Sequence, residues 1–146
     1  MEIRKLSIND YEEIYKLWMS TPGMGLNDID DSKTGIDQYL KRNPNTCFVA
    51  IISGKIVGVI LSGHDGRRGY IHHTAVSIAN RNEGIGSLLV DNALKALKSE
   101  SIHKVALVVF NSNEAGNKFW EHKGFSVRKD LTYRNKALTD MKRIDT

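Results

Sequence analysis

The spacing of apolar positions divides the chain into strands and helices. The opening run EIRKLS has the extended character of a strand, and INDYEEIYKLWM places Ile14, Leu17 and Trp18 on one helical face behind Asn9 or Asp10 as the cap. A second short helix is predicted over IDQYLKR, which the NPN turn ends. The chain therefore opens as strand, helix, glycine-containing loop and helix.

The middle of the chain predicts an antiparallel meander. TCFVAII, IVGVILSGH and YIHHTAVSI are strand-like runs, joined by the turn segments SGK and DGRRG. The helical run RNEGIGSLLVDNALKALK follows. Its apolar residues share one face, at Ile85, Leu88, Leu89, Ala93, Ala96 and Leu97. KVALVVF then predicts a buried strand, NEAGNKFWEHKG predicts a helix that ends at Gly124, and FSVRKDLTYRNKAL is expected to supply the final strands.

Composition limits the class of protein. The 146 residues are 40% hydrophobic and 26% charged, which fits one globular domain over residues 1–146. No run approaches the roughly 18 apolar residues of a membrane span, and MEIRKLSIND lacks the apolar centre of a signal peptide, so a cytoplasmic protein without a membrane partner is expected. The single cysteine, Cys47, is predicted to be a buried small hydrophobe, and no metal site is expected.

The net charge of +4 is compatible with an anionic ligand. Basic residues are scattered, and pairs such as Arg67-Arg68 are typical of solvated turns. The chain has neither an aromatic and basic RNA motif nor zinc-finger spacing, so a nucleic-acid partner is not expected.

The segment RNEGIGS places Gly84 and Gly86 at the front of a strong amphipathic helix. Glycine costs a helix interior roughly 1 kcal/mol relative to alanine, so the pair indicates that a bare backbone is needed there. Unpaired N–H groups at a helix N-terminus bind phosphates. Leu89 stands where a Rossmann fingerprint needs its third glycine, and the Gly-Lys-Ser/Thr of a P-loop is absent.

Two motifs at a fixed separation resemble those of the GNAT superfamily of N-acetyltransferases. The first is Arg/Gln-x-x-Gly-x-Gly/Ala, here Arg81 to Gly86, preceded by an Ala-Val strand end at Ala75-Val76. The second is Asn-x-x-small-x-x-aromatic-aromatic, followed by Gly-Phe. Its residues here are Asn113, Gly116, Phe119, Trp120 and Gly124-Phe125. The resemblance covers essentially the whole chain. It implies an α/β (α+β) fold with a mixed, mostly antiparallel sheet of six to seven strands and about four helices.

The resemblance implies acetyl-CoA as cosubstrate. In the family, backbone N–H groups of the signature turn hold the pyrophosphate and the strand end before it pairs with the pantetheine arm. The residues that match these roles here are Val76, Ser77, Ile78, Arg81, Asn82, Glu83, Gly84, Ile85, Gly86 and Ser87. Asn113 and Trp120 join them. Arg81 either lends charge to the phosphates or braces the loop, and Asn113 either contacts the cofactor or caps the following helix.

Acetyl transfer to an amine needs an uncharged amine, a stabilised oxyanion and a proton for the thiolate. Many family members carry a tyrosine acid where this chain has Trp120, and an indole has no useful pKa. Candidates are therefore His72 as base, Tyr70 as proton donor or substrate-shaping ring, and Tyr133 near the acceptor cleft.

Strand periodicity assigns the side chains of YIHHTAV to two faces. Tyr70, His72, Thr74 and Val76 are expected on one face. Ile71, His73 and Ala75 are expected on the other, so His73 is predicted to point away from the chemistry.

The resemblance implies that the acceptor is a primary amine of a small molecule or a protein. Asp28, Asp30 and Asp31 lie in the loop that usually lines its pocket, and they are expected to be solvated, although they could attract a cationic amine. A CoA-binding regulatory module without turnover is the alternative function. The family's edge-strand pairing makes a homodimer possible.

Overall fold

A five-stranded sheet organises the computed structural model, which describes residues 1–145. Its strands, in sheet order, are β1 (Glu2–Lys5), β2 (Phe48–Ile52), β3 (Lys55–His64), β4 (Gly69–Val76) and β5 (Val105–Ala106). Neighbouring strands pair antiparallel, except β4 and β5, which are parallel. The predicted mixed, mostly antiparallel sheet is confirmed.

Four helices cover the two faces of this sheet, as expected. They are α1 (Tyr11–Met19), α2 (Lys33–Arg42), α3 (Ile85–Ser99) and α4 (Glu114–His122). Along β3, Val59 and Leu61 pack against α1 and α2, whereas Ile60 packs against α3, as strand alternation requires. Within residues 1–145, none of the helices has the length and apolar character of a membrane span.

The predicted count of six to seven strands is wrong, because the described residues form five. The segment 125–138 carries no strand, and Val127 and Leu138 are 76% and 92% exposed. Its apolar residues stand singly among charged ones, and Arg128 pairs with Asp130 within the segment. A strand needs a neighbouring edge to complete its hydrogen bonds, and β5, with two paired residues, offers little.

A bulge in β4 overturns the predicted faces of that strand. Ala75 pairs with Val59 but His72 pairs with Leu61, so β4 contains one residue more than β3 between these pairs. The extra residue reverses the alternation: Ile71 packs with the α3 cluster, whereas Ala75, four residues later, packs with α1 and α2. His73 therefore does not point to the face opposite His72.

Cys47 is buried at 1% exposure, as predicted. Burial raises the pKa of its thiol to about 12, and its sulfur bonds to the backbone of Ser62. The thiol is therefore protonated and inert at neutral pH.

Candidate active site

A cleft of about 1760 Å³ opens where β4 and β5 separate. The two strands pair only at Gly69 with Val105 and Tyr70 with Ala106. Beyond Tyr70 the outer edge of β4 has no partner strand among the described residues. The cleft is lined by this edge, by the start of α3, by residues 107–110 and by parts of the α1–α2 loop.

Val76 directs its backbone groups into this opening. The N–H of Ser77 donates to the carbonyl of Val57 at 2.8 Å, so Ser77 faces β3. Successive residues of a strand point their backbone groups to opposite sides, and Val76 therefore faces the free edge. Its carbonyl accepts from Nε of Arg81 at 3.2 Å. The Val76 N–H thus lies on the open side of the strand.

The N-terminus of α3 presents bare backbone N–H groups at the cleft. Its first helical hydrogen bond runs from Leu88 N–H to the carbonyl of Gly84 at 3.1 Å, and no side chain within residues 1–145 caps it. Gly84 has φ +81°, a left-handed conformation, and space is open where a Cβ would lie. The N–H groups of Ile85, Gly86 and Ser87 precede that first bond and carry the positive end of the helix dipole.

Gly86 differs from Gly84. A Cβ on Gly86 would lie 3.4 Å from the ring of Phe119 and 3.6 Å from Val76, which is ordinary van der Waals contact, so the packing of α4 on α3 does not by itself require glycine here. In the second motif, by contrast, the glycine is required. Asn113 caps α4 by accepting from Gly116 N–H at 2.9 Å, and a Cβ on Gly116 would collide with the Asn113 side chain. Of the two roles predicted for Asn113, the structure therefore shows that of the N-cap of α4.

Arg81 connects the turn to β4 through its hydrogen bond to the Val76 carbonyl, so it braces the loop.

Nine of the twelve residues predicted for the cofactor line the cleft, and three do not. The three outside are Ser77, Ile78 and Glu83. Ile85 is 2% exposed, so it offers the cleft little beyond its backbone. Trp120 packs edge-on between the rings of Phe119 and Phe125.

Lys123 lies at this end of the cleft, and the motifs did not indicate it. Its ammonium donates to Ser87 Oγ at 2.8 Å and to Asp91 Oδ1 at 2.7 Å, beside the first turn of α3. The residue follows α4 directly, 36 positions after Ser87. No local periodicity connects two residues so far apart, so only the packing of α4 on α3 reveals the contact.

The other end of the cleft collects the predicted catalytic side chains. Tyr70, His72 and Tyr133 all line it, and Tyr133 is 67% exposed. The rings of Tyr70 and His72 lie 4.5 Å apart, and Tyr39 of α2 meets His72 edge-on. Desolvation and the nearby Tyr133 raise the pKa of Tyr70.

The surrounding protein lowers the pKa of His72 to about 4, although one side of the ring stays open to the cleft. Desolvation is the main cause and the neighbouring His73 adds to it, while Asp31 and Asp30 oppose it. At neutral pH the His72 imidazole is therefore uncharged and able to accept a hydrogen bond.

Asp31 and His73 form a pair that the sequence analysis did not anticipate. Nε2 of His73 lies 2.7 Å from Asp31 Oδ1, and Asp31 Oδ2 accepts from Asn27 N–H at 2.8 Å. Asp31 is only 4% exposed, so its predicted solvation is wrong. Both residues line the cleft. The bulge in β4 explains why His73 reaches this side.

The C-terminal residues hold the loop that carries Asp31. Asp145 accepts from Gly25 N–H at 3.0 Å and Leu26 N–H at 2.6 Å, and Ile144 N–H donates to Leu26 carbonyl at 3.1 Å. Arg143 stacks over the ring of Phe110. Residues 144 and 145 therefore hold the middle of the α1–α2 loop.

Comparison with known proteins agrees with this architecture. The model of the Acetyltransferase (GNAT) family matches residues 11–125. The chain belongs to the acetyltransferase (GNAT) family. An acetyltransferase of Photorhabdus laumondii is 32% identical over 119 residues, which are 79% of each chain. An acetyltransferase of Sodalis glossinidius is 29% identical over 140 residues, covering 96% of this chain and 97% of the relative.

Solved structures have the same fold as this GNAT acetyltransferase. Ard1 of Thermoplasma volcanium superposes with a TM-score of 0.78 at 23% identity, covering 87% of this chain and 83% of its own. The PaiA N-acetyltransferase of Thermoplasma acidophilum, solved in complex with coenzyme A, superposes with a TM-score of 0.75 at 22% identity, covering 87% and 90%. These likenesses are of fold.

Proposed function

We propose that this protein is an acetyl-CoA-dependent N-acetyltransferase that transfers the acetyl group to a primary amine of a small molecule or protein. The observation that carries the proposal is the uncapped start of α3 beside the free edge of β4. One supplies N–H groups for an anion and the other supplies backbone groups for an extended chain. A long ligand with phosphates at one end and amides in its arm matches both.

The residues around this opening fit acetyl-CoA in detail. The N–H groups of Ile85, Gly86 and Ser87 would hold the pyrophosphate, with Lys123 adding positive charge nearby. The edge of β4 at Val76 would pair with the pantetheine arm as an added strand does. When bound, acetyl-CoA supplies an acetyl group activated as a thioester. The coenzyme A complex of the PaiA N-acetyltransferase, which shares the fold, supports this choice.

At the acceptor end, the chain would position the amine and move protons. The Val76 N–H would donate to the carbonyl oxygen on which negative charge develops during direct attack. Neutral His72 would accept a hydrogen bond from the amine and so orient it. Tyr70, whose raised pKa keeps its hydroxyl protonated, would serve as proton donor, with Tyr133 beside it.

Trp120 keeps a second function under consideration. Its indole has no proton to give at accessible pH, and it packs against two aromatic rings. If Tyr70 and Tyr133 did not replace the missing acid, the protein would bind CoA without turnover and act as a regulatory module. We favour the enzyme because the tyrosines and His72 converge on the cleft.

We further propose that residues 1–146 act as one domain. The support is that a single sheet carries both apolar clusters, one on each face.

The test combines binding and turnover in the same samples. Isothermal titration with acetyl-CoA would precede thiol-release assays against polyamines, amino acids, aminoglycosides and peptides with free N-termini. Binding with turnover is expected, and mass spectrometry of the acceptor should show one added acetyl group on nitrogen. Binding without turnover across the panel would favour the regulatory module, and absence of binding would overturn the proposal.

A further inference from the structure

We infer that His73, oriented by the buried carboxylate of Asp31, accepts the proton of the acceptor amine, an inference that rests on the proposed function. The two residues come from segments 42 positions apart and meet at the acceptor end of the cleft. The inference names a base different from His72, and it assigns Asp31 as a positioning residue.

Asp31 and Trp18 contact the His73 imidazole, and hydrogen bonds from two other residues hold Asp31 in place. Asp31 Oδ1 holds Nε2 at 2.7 Å, and Asn27 N–H holds the other carboxylate oxygen at 2.8 Å. The hydroxyl of Tyr11 donates to the Asp31 carbonyl at 2.7 Å, so α1 braces the loop. The ring of Trp18 meets His73 at 5.3 Å between centroids. These contacts hold the ring beside the cleft.

The hydrogen bond to Asp31 also fixes the tautomer of neutral His73. A carboxylate oxygen only accepts, so Nε2 carries the proton and Nδ1 carries the lone pair. Among the described residues, Trp18 Nε1 is the one buried side-chain nitrogen or oxygen without a partner. Nδ1 of His73 makes no hydrogen bond within residues 1–145, and it is therefore reached by water in the cleft. The basic nitrogen is thus open while the other is engaged.

The proton balance of the step is simple. The ammonium form of the acceptor loses one proton, directly or through a water, to Nδ1 of His73, and the nitrogen lone pair becomes available for attack. The resulting imidazolium keeps its bond to the Asp31 carboxylate, which stabilises it as in other carboxylate and histidine pairs. The proton then leaves to bulk water, which restores the neutral ring.

His72 is less suited to this task. Its surroundings oppose a charged ring, as the lowered pKa shows, whereas His73 has a carboxylate in contact. The titratable groups in contact with His73 come from its own strand and from the α1–α2 loop. They are His72 and Asp31. Within the described residues, the carboxylate at hydrogen-bond distance therefore belongs to His73, whereas His72 meets the rings of Tyr39 and Tyr70.

The first test measures the imidazole itself and needs no substrate. Long-range 1H–15N NMR of the whole protein should show neutral His73 as the Nε2–H tautomer. In Asp31→Ala, which removes the acceptor, the Nε2–H proton should lose its hydrogen bond and exchange faster with solvent. An Nδ1–H tautomer, or an unchanged exchange rate of this proton in Asp31→Ala, would overturn the inference whether or not the protein transfers acetyl groups.

The second test measures catalysis with the best amine of the panel above. His73→Gln should lower kcat about 100-fold near neutral pH, the usual contribution of a general base. This deficit should shrink below about fivefold as the pH approaches the amine's own pKa, about 10 for an alkyl amine and about 8 for a peptide N-terminus, because solvent then deprotonates the amine. A merely structural role would give the same deficit at every pH, and that result would refute the inference.

A matched control exists in the second histidine and carboxylate pair of the chain. His64 Nε2 lies 2.8 Å from Glu100 Oε1, and neither residue lines the cleft. His64→Gln should therefore leave kcat within about twofold at every pH. Titration of His73→Gln with acetyl-CoA should give the wild-type affinity and so exclude misfolding. If the wild type bound acetyl-CoA but transferred nothing, the proposed function would be refuted. The NMR result would still test the pairing of His73 with Asp31.

Discussion

The two ends of the cleft use different kinds of chemical group. At the α3 end, the groups are backbone N–H donors from three consecutive residues, Ile85, Gly86 and Ser87, which follow one left-handed glycine. At the acceptor end they are side chains from β4, the α1–α2 loop and the C-terminal part of the chain, among them His73, Asp31 and Tyr133. The first end is local in sequence and therefore recognisable as a motif. The second is assembled by tertiary packing and is not.

The largest effect is expected from a substitution that changes the backbone conformation at the α3 end. Gly84→Val forces a β-branched residue into φ +81°, where no neighbour blocks it, so the cost is conformational and about 1–2 kcal/mol of stability. Acetyl-CoA affinity should fall at least about tenfold, because the backbone N–H groups of the turn no longer point toward the phosphates. Gly66→Val is the matched control, with φ +93° and open space in the β3–β4 turn outside the cleft. Equal affinity losses in both variants, measured by titration calorimetry, would contradict the local assignment.

The next prediction concerns the acceptor end, where His72 makes the stability of the protein depend on pH. In the unfolded chain the pKa of His72 is about 6.5, whereas in the folded protein it is about 4. Between these values the unfolded state binds more protons, so stability falls as the pH falls. Urea denaturation of His72→Gln should show a shallower loss of stability than the wild type between about pH 7 and pH 5. Parallel curves for the two proteins would refute the shift.

Asn113 decides between two roles for the second motif. Its side chain caps α4, so Asn113→Ala should cost about 1 kcal/mol of unfolding free energy. Asn113→Asp should retain the cap and most of the stability. If capping is its role, both variants should bind acetyl-CoA as the wild type does, and a selective loss of affinity at equal stability would instead indicate a cofactor contact.

The smallest effect is expected at Lys123, which is distant in sequence from α3 but places a positive charge at the α3 end of the cleft. Lys123→Met should weaken acetyl-CoA binding about two- to fivefold at low salt and less at high salt, because Asp91 already neutralises part of the charge. Lys33→Met, which removes an exposed ion pair with Glu12, should leave the affinity unchanged. A salt-independent loss in Lys123→Met would mean that packing, not charge, is the contribution of this lysine.

Sequence reasoning failed at places where one local rule was extended too far. Strict alternation along YIHHTAV put His73 on the wrong face, because one extra residue in β4 reverses the period. Charge alone suggested a solvated Asp31, but the loop folds back and buries it against His73. The prediction of the final strands in 125–138 is wrong, because within the described chain β5 offers too short an edge for pairing.

The sequence by itself determined the four helices, the strands β1–β4 and the glycine turn before α3. These depend on periodicity and backbone conformation within a few residues, which side-chain identity controls directly. The tertiary structure alone decided the strand count, the bulge, the reach of Lys123 to Ser87 and the pairing of Asp31 with His73. Each of these depends on contacts between residues far apart in the chain, and their geometry is fixed only when both faces of the sheet are packed.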